Sequence, residues 1–330
     1  MNPIDRFLRV LANQTTDRAP VIGVTNSVTL ELMDAVGTKF PEAHHDPDLM
    51  MKLGAAAHDL CGLESVKVPF DMTVEAGALG AEVDFGTVNT LPHIKGPLFE
   101  TPESLTLKGD DLRQGRVSVI LEAIRRSRQE YSGIPVISSI VGPFTLSTLL
   151  FGLERLFLWM LKDPDRYAAA LQKATQLCTL YARHQFEAGS HAVQIADPSS
   201  SRDLISSEQY GKFVAPYHKR LCSSFNLPTV IHICGNITGH LPRIVETGAR
   251  GISFDYKTDI GEAKRCLKGK LALIGYVPTS LLREGKPQEV YAFSRKCIEA
   301  GIDALNAGCA WPLDTPTENI RAMVRAAKEK

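Results

Sequence analysis

The sequence predicts an α/β fold, a closed (β/α)8 TIM barrel. Three observations carry that expectation. Eight short apolar runs, rich in β-branched residues and bounded by Gly or Pro, alternate with longer amphipathic stretches. The runs are apolar nearly throughout, as parallel strands buried on both faces are. No G-x-G-x-x-G follows the first run, so the alternative, an open doubly wound sheet built for a dinucleotide, gains no support. The chain has 330 residues, a length that α/β barrels reach as one unit, and a single barrel domain over 1–330 is expected.

The predicted strands are Pro20–Thr25, Glu64–Pro69, Pro135–Ile140, His191–Ala196, Thr229–Ile233, Gly251–Phe254, Leu271–Gly275 and Ala304–Asn306. Helical periodicity falls between them, at Leu49–Leu60, Val117–Tyr131, Pro164–Ala188, Ser206–Phe225, His240–Thr247, Ile260–Leu267, Pro287–Ala300 and Thr317–Lys328. Pro164 and Pro287 stand where helices begin, and Gly189, Gly248 and Gly301 where they end. Asp71–Ile94 breaks the alternation. Its Val83-Asp84-Phe85-Gly86-Thr87-Val88 segment reads as a small hairpin inserted after the second strand.

Composition bounds the function. Lys+Arg and Asp+Glu are both 37, a formal net charge of zero. That balance gives no basic footprint for nucleic acid or an anionic membrane, and neither is expected as a partner. No stretch approaches the ~18 uncharged apolar residues of a membrane span. Seven cysteines, an odd number without framework spacing, point to free thiols and a reducing, cytoplasmic setting. The start, Met1-Asn-Pro-Ile-Asp-Arg, has no apolar signal region.

Chemistry concentrates at strand ends. In Ile231-His232-Ile233-Cys234-Gly235, residues two apart share a side, so His232 and Cys234 project together at the C-terminal lip of their strand. A nitrogen and a sulfur converging is a zinc-type pair. Alone, H-x-C is a weak signal, since a buried strand cysteine is usually inert core. Cys309 closes the last strand in Asn306-Ala307-Gly308-Cys309 and so reaches the same face, where barrel enzymes place their sites. Asp197, Asp255 and Tyr276 follow three other strands and are candidate catalytic residues. Asp255 could supply a fourth ligand or orient His232, and either aspartate could simply cap a helix. Trp311 could stack on an aromatic substrate or anchor its loop. Cys61, Cys178, Cys222, Cys266 and Cys297 fall in helical patterns and are expected as small core residues.

The chain resembles the uroporphyrinogen decarboxylase superfamily, and within it the methylcobamide:coenzyme M methyltransferases. The likeness runs through Glu31-Leu32-Met33-Asp34-Ala35-Val36-Gly37, Phe40-Pro41-Glu42-Ala43-His44, Gly62-Leu63-Glu64-Ser65-Val66, Ile195-Ala196-Asp197-Pro198 and His232-Ile233-Cys234-Gly235-Asn236. It ends in Ala307-Gly308-Cys309 and Thr315-Pro316-Thr317-Glu318-Asn319-Ile320. The resemblance implies a uroporphyrinogen-decarboxylase-like barrel with Zn2+ held by His232, Cys234 and Cys309. It also implies a methylcobamide (corrinoid) donor on a carrier protein and coenzyme M, 2-mercaptoethanesulfonate, as acceptor, in methanogenic or methylotrophic one-carbon metabolism. Three protein ligands leave a fourth position for the substrate thiol. Relatives often carry Glu where Asp255 stands, which weakens direct ligation by the shorter side chain. Uroporphyrinogen decarboxylases proper hold their substrate with arginines just after the first strand. Val24-Thr25-Asn26-Ser27-Val28 has none, and a metal-free lyase is disfavoured. Open alternatives are O-demethylation of a methoxylated aromatic onto cob(I)alamin, transfer to tetrahydrofolate, and a non-catalytic module with a structural metal.

Overall fold

The computed structural model describes residues 1–107 and 112–329. The strands are β1 (Val66–Lys67), β2 (Val83–Asp84), β3 (His93–Ile94), β4 (Val136–Val141), β5 (Ala192–Ala196), β6 (Thr229–Ile233), β7 (Gly251–Phe254), β8 (Ala272–Val277) and β9 (Ala304–Ala307). Seven form one parallel sheet in the order β1-β4-β5-β6-β7-β8-β9, and β2 pairs with β3 as an antiparallel hairpin after β1. The fold is the expected TIM-barrel-like α/β architecture with its insert.

The first expected strand, Pro20–Thr25, is not a regular strand. It makes a single parallel bridge, Val21 to Leu305. Ile22 N donates to Leu305 O, Leu305 N to Pro20 O, and Glu64 N to Val21 O, so the segment joins β9 to the start of β1 and fills the eighth position. The ladder stops there because the Gly23 amide donates to the Ser65 hydroxyl rather than to a strand carbonyl.

Two expected helices are interrupted. Ser206–Phe225 becomes Ser207–Gln209, a π turn at Tyr210–Val214, and Ala215–Cys222. Pro216 has no N–H for the carbonyl one turn back, and the ladder widens just before it. His240–Thr247 becomes a 3-10 turn, Thr238–His240, followed by Leu241–Val245. Helices not foreseen include Pro3–Leu11, Pro143–Phe151 and Leu153–Lys162. Pro143–Phe151 is apolar nearly all round and mostly buried, so no amphipathic stripe marks it. Among the described residues no single helix is long and apolar enough to cross a membrane.

The barrel interior has an apolar floor. Ile22, Val24, Ile137, Ala192, Val230, Ala272, Ile274 and Ala304 form one buried cluster, sealed from below by Phe7, Val10 and Leu11 of the N-terminal helix. That helix is fastened by buried Glu64, which accepts from Arg6 Nη1 at 2.6 Å and from Arg18 Nη2 at 2.7 Å. Arg6 also pairs with Asp17. Above the floor the inward positions turn polar, with Lys67, Ser139, Gln194, His232 and Ser253 on successive strands. The closed floor leaves the C-terminal mouth as the way in.

Candidate metal centre

Val230 and His232 are two apart on β6. Val230 packs in the floor, so His232 points inward one layer higher. Cys234 follows at the strand's end. Cys309 arrives from the far side of the ring, just after β9, and its carbonyl accepts the Thr25 hydroxyl at 3.0 Å. The neighbouring Gly308 permits this approach, because a Cβ there would sit 2.8 Å from the backbone Cα of Asp255.

The three donors meet. His232 Nε2 lies 3.0 Å from Cys234 Sγ, and Cys234 Sγ lies 2.8 Å from Cys309 Sγ. All three ligand atoms fall within 4.8 Å of one another, and among the described residues no fourth His, Cys, Asp or Glu joins the group. The two sulfurs are not bonded; both cysteines are free thiols. His232 is buried, and its Nδ1 lies 3.0 Å from the Ser253 hydroxyl. Assigning the Nδ1 proton to that bond leaves the Nε2 lone pair facing the sulfurs. Register explains the contact, since His232 pairs directly with Ser253 in the β6–β7 ladder.

The two thiols are hydrogen-bonded to each other. That bond, with further help from His232, holds the pKa of Cys309 below its ordinary value, while the same bond and burial raise that of Cys234. Two soft sulfurs and one imidazole, with its other nitrogen engaged, are the donor set zinc prefers, and three ligands make an open site.

The three candidate catalytic residues lie outside this group. Asp255 Oδ2 accepts from Gly235 N at 2.9 Å and Oδ1 from Lys257 N at 2.8 Å. It shapes the loop beyond Cys234, and the hydroxyl that contacts His232 is Ser253's. Asp197 is fully buried and takes the capping role. It accepts from the Phe144 and Thr145 amides at the start of the Pro143–Phe151 helix, from the Thr145 hydroxyl, and from His218 Nε2 at 2.7 Å. His218, itself fully buried, is part of that network. Tyr276 leaves the interior. Ile274 faces the floor and alternation would turn Tyr276 inward too. Instead its ring packs on Phe254 and edge-on against Phe293 of the outer helix Pro287–Glu299. Gly275, at φ +147°, breaks the alternation; a Cβ there would meet the Phe254 carbonyl at 2.6 Å. Trp311 is 2% exposed, with its amide donating to Asn26 O, and anchors its loop. Of the five helical cysteines, Cys61, Cys178, Cys222 and Cys297 are buried and Cys266 is partly so.

A cavity of about 340 Å3 opens over the group, lined by His232, Cys234 and Cys309 and by Lys67, Ser139 and Asn26 among others. The last three were not foreseen. For Lys67 and Ser139 the signal was present, polar residues at inward positions of runs that otherwise read as doubly buried; Asn26 stands just past the Pro20–Thr25 run.

A barrel whose strand tips gather an imidazole and two thiols around an open cavity has the form of an enzyme with its site at the mouth, where the three side chains could hold a metal ion. The chain belongs to the uroporphyrinogen decarboxylase (URO-D) family, whose model matches residues 2–330. Within it the chain stands with the methyltransferases and is an enzyme of that type. It is 34% identical to a methylated-thiol–coenzyme M methyltransferase of Methanosarcina mazei, over 100% of this chain and 90% of the relative. It is 35% identical to the methylcobamide:CoM methyltransferase MtaA of Methanosarcina barkeri, over 98% and 97% of the two chains. A solved methyltransferase structure from Methanosarcina mazei superposes with a TM-score of 0.96 at 34% identity, covering 100% of this chain and 99% of that one.

Proposed function

We propose that this protein moves a methyl group from a methylated corrinoid, presented by a carrier protein, to the thiol of coenzyme M, with Zn2+ at His232, Cys234 and Cys309. The observation that carries the reading is the convergence of these three donors from distant stretches of chain under one open cavity. The similarity to coenzyme M methyltransferases supports the choice of donor and acceptor. When bound, Zn2+ would lower the pKa of a thiol entering its free position, so that the sulfur is a thiolate near neutral pH, where a free thiol of pKa ~8.5 is mostly protonated.

The chain's own residues prepare that position. Ser253 holds the imidazole in one orientation. Cys234 and Cys309, once both deprotonated, would supply two negative charges that offset the ion's. Asp255 fixes the Gly235 turn beside Cys234. The apolar floor keeps the approach one-sided, from the mouth. The acceptor sulfur would form its bond to the methyl carbon as the carbon–cobalt bond breaks, its electron pair leaving with cobalt, giving a thioether and cob(I)alamin on the carrier protein. Seven free thiols suit a reducing cytoplasm, and the whole chain acts as one catalytic unit.

The test is a methylcobalamin demethylation assay on zinc-loaded protein, with coenzyme M, tetrahydrofolate and homocysteine as competing acceptors. Coenzyme M should be methylated in preference, and Cys309→Ala should lose both stoichiometric zinc and transfer. Preferential methylation of tetrahydrofolate, or full activity in metal-free protein, would overturn the reading.

A further inference from the structure

The cavity holds a second polar group across from the thiols. Lys67 ends β1 and points inward, 3% exposed. Its Nζ donates to the Ser139 hydroxyl at 2.8 Å and to Pro69 O at 3.0 Å. Among the described residues no carboxylate pairs with it. An ammonium has three donors, so one remains unused. A buried cation is costly without an opposing charge. Burial accordingly lowers the Lys67 pKa to about 7, opposed by the more distant Asp71.

A second observation comes from the adjoining segment. Asn26 is 7% exposed and lines the same cavity, yet neither its Nδ2 nor its Oδ1 has a partner. Buried amides are nearly always hydrogen-bonded, so an unpartnered one facing a cavity marks a place where a ligand atom belongs. In the ring of eight positions, β1 and β6 are separated by β4 and β5. Lys67 therefore stands well around the wall from His232, and a small molecule held at one end by the thiol group would lay its other end toward the lysine.

We propose that Lys67, with Ser139 and Asn26, forms an oxyanion seat for the tail of the acceptor. The acceptor class is then a short thiol ending in a sulfonate or carboxylate. This deepens the reading above and rests on it for the position of the sulfur. The anion would accept hydrogen bonds from the remaining Lys67 ammonium N–H and from the Asn26 amide NH2, and it supplies the negative charge that the buried lysine lacks. Charge-assisted bonds of this kind are worth roughly a 10- to 100-fold change in affinity.

The experiment is titration calorimetry on zinc-loaded protein with 2-mercaptoethanesulfonate, 3-mercaptopropionate, 2-mercaptoethanol and thiol-free ethanesulfonate. Lys67→Met should weaken both anionic thiols by roughly 10- to 100-fold and change 2-mercaptoethanol less than about twofold. The tighter of the two anionic thiols names the tail. Asn26→Ala, a gentler change, should act in the same direction by about 3- to 10-fold. Ethanesulfonate separates the two readings. It should bind wild type and Cys309→Ser alike and lose binding in Lys67→Met. Retained ethanesulfonate binding in Cys309→Ser, with thiol binding unaffected by that change, would sink the thiol-activation reading and leave the seat standing. Ethanesulfonate binding indifferent to both Lys67→Met and Asn26→Ala, or equal weakening of neutral and anionic thiols, would overturn the seat.

Discussion

Ser253 offers the sharpest test of the proposed zinc site. Ser253→Ala removes one hydroxyl that is fully buried and 3.0 Å from His232 Nδ1. A neutral hydrogen bond is worth about 1 kcal/mol net, and one made stronger by a charge on its partner about 1.5–3 kcal/mol. An imidazole bound to a dication is of the second kind, so at 1.4 kcal/mol per factor of ten the loss corresponds to roughly 10- to 100-fold in zinc affinity. Removing a group that orients a ligand elsewhere costs about the same. The assay is competition for zinc against a chromophoric chelator at fixed pH, with melting temperature recorded as a control for folding. A double-mutant cycle supplies the discriminating result. If Ser253 acts through the imidazole, Ser253→Ala should change zinc affinity little in a His232→Ala background. Equal losses in both backgrounds, or a zinc affinity within twofold of wild type, would refute the argument that Ser253 orients the ligand.

Three further outcomes follow from the same structure. Asp197→Asn should destabilise the fold by about 2–4 kcal/mol in urea unfolding, because four donors converge on that carboxylate and an amide cannot accept them all; unchanged stability with lost turnover would instead make Asp197 a catalytic residue. Burial lowers the His44 pKa to about 4, so the folded state stays neutral where the unfolded chain, with pKa ~6.5, takes up a proton. Its contribution to stability is full above pH ~6.5 and is lost as pH falls toward 4; the urea midpoint should therefore drop less steeply between pH 7 and 4.5 in His44→Phe than in wild type, and identical slopes would contradict the assignment. Stripping zinc with a chelator should lower the melting temperature of wild type but leave that of the Cys234→Ala/Cys309→Ala double variant unmoved; a chelator-induced drop in that variant would place the metal elsewhere.

Much of this molecule can be read from its sequence. Strands such as Thr229–Ile233 and Gly251–Phe254 were placed to the residue, because a continuous apolar run bounded by turn residues has few other readings. The H-x-C pair and the terminal Cys309 were visible because strand ends of a barrel share one face, and the resemblance to a known family joined them into one set. What was hidden depends on neighbours that sequence does not order. Ser253 meets His232 only because the β6–β7 register sets them opposite each other, and register is decided by packing across strands. From its place after a strand Asp255 reads equally as a fourth ligand, a group that orients His232 or a cap; its two oxygens accept from the backbone amides of Gly235 and Lys257, a contact that sequence does not reveal. Tyr276 follows its predicted strand, but nothing in the sequence shows that the backbone at Gly275 turns its ring outward, onto Phe254 and Phe293. The Pro143–Phe151 helix was invisible to periodicity because it is buried on nearly every side.

The division of the barrel interior into a greasy base and a polar upper tier has a consequence for how such a protein can change its chemistry. The base, stoppered by Phe7, Val10 and Leu11, holds the strands together whatever sits above it. The upper tier draws its polar side chains from several strands, and those at Lys67, Ser139 and Ser253 lie apart from the residues that form the stopper. A new substrate would then demand rewriting only a handful of inward letters, leaving the cylinder itself untouched.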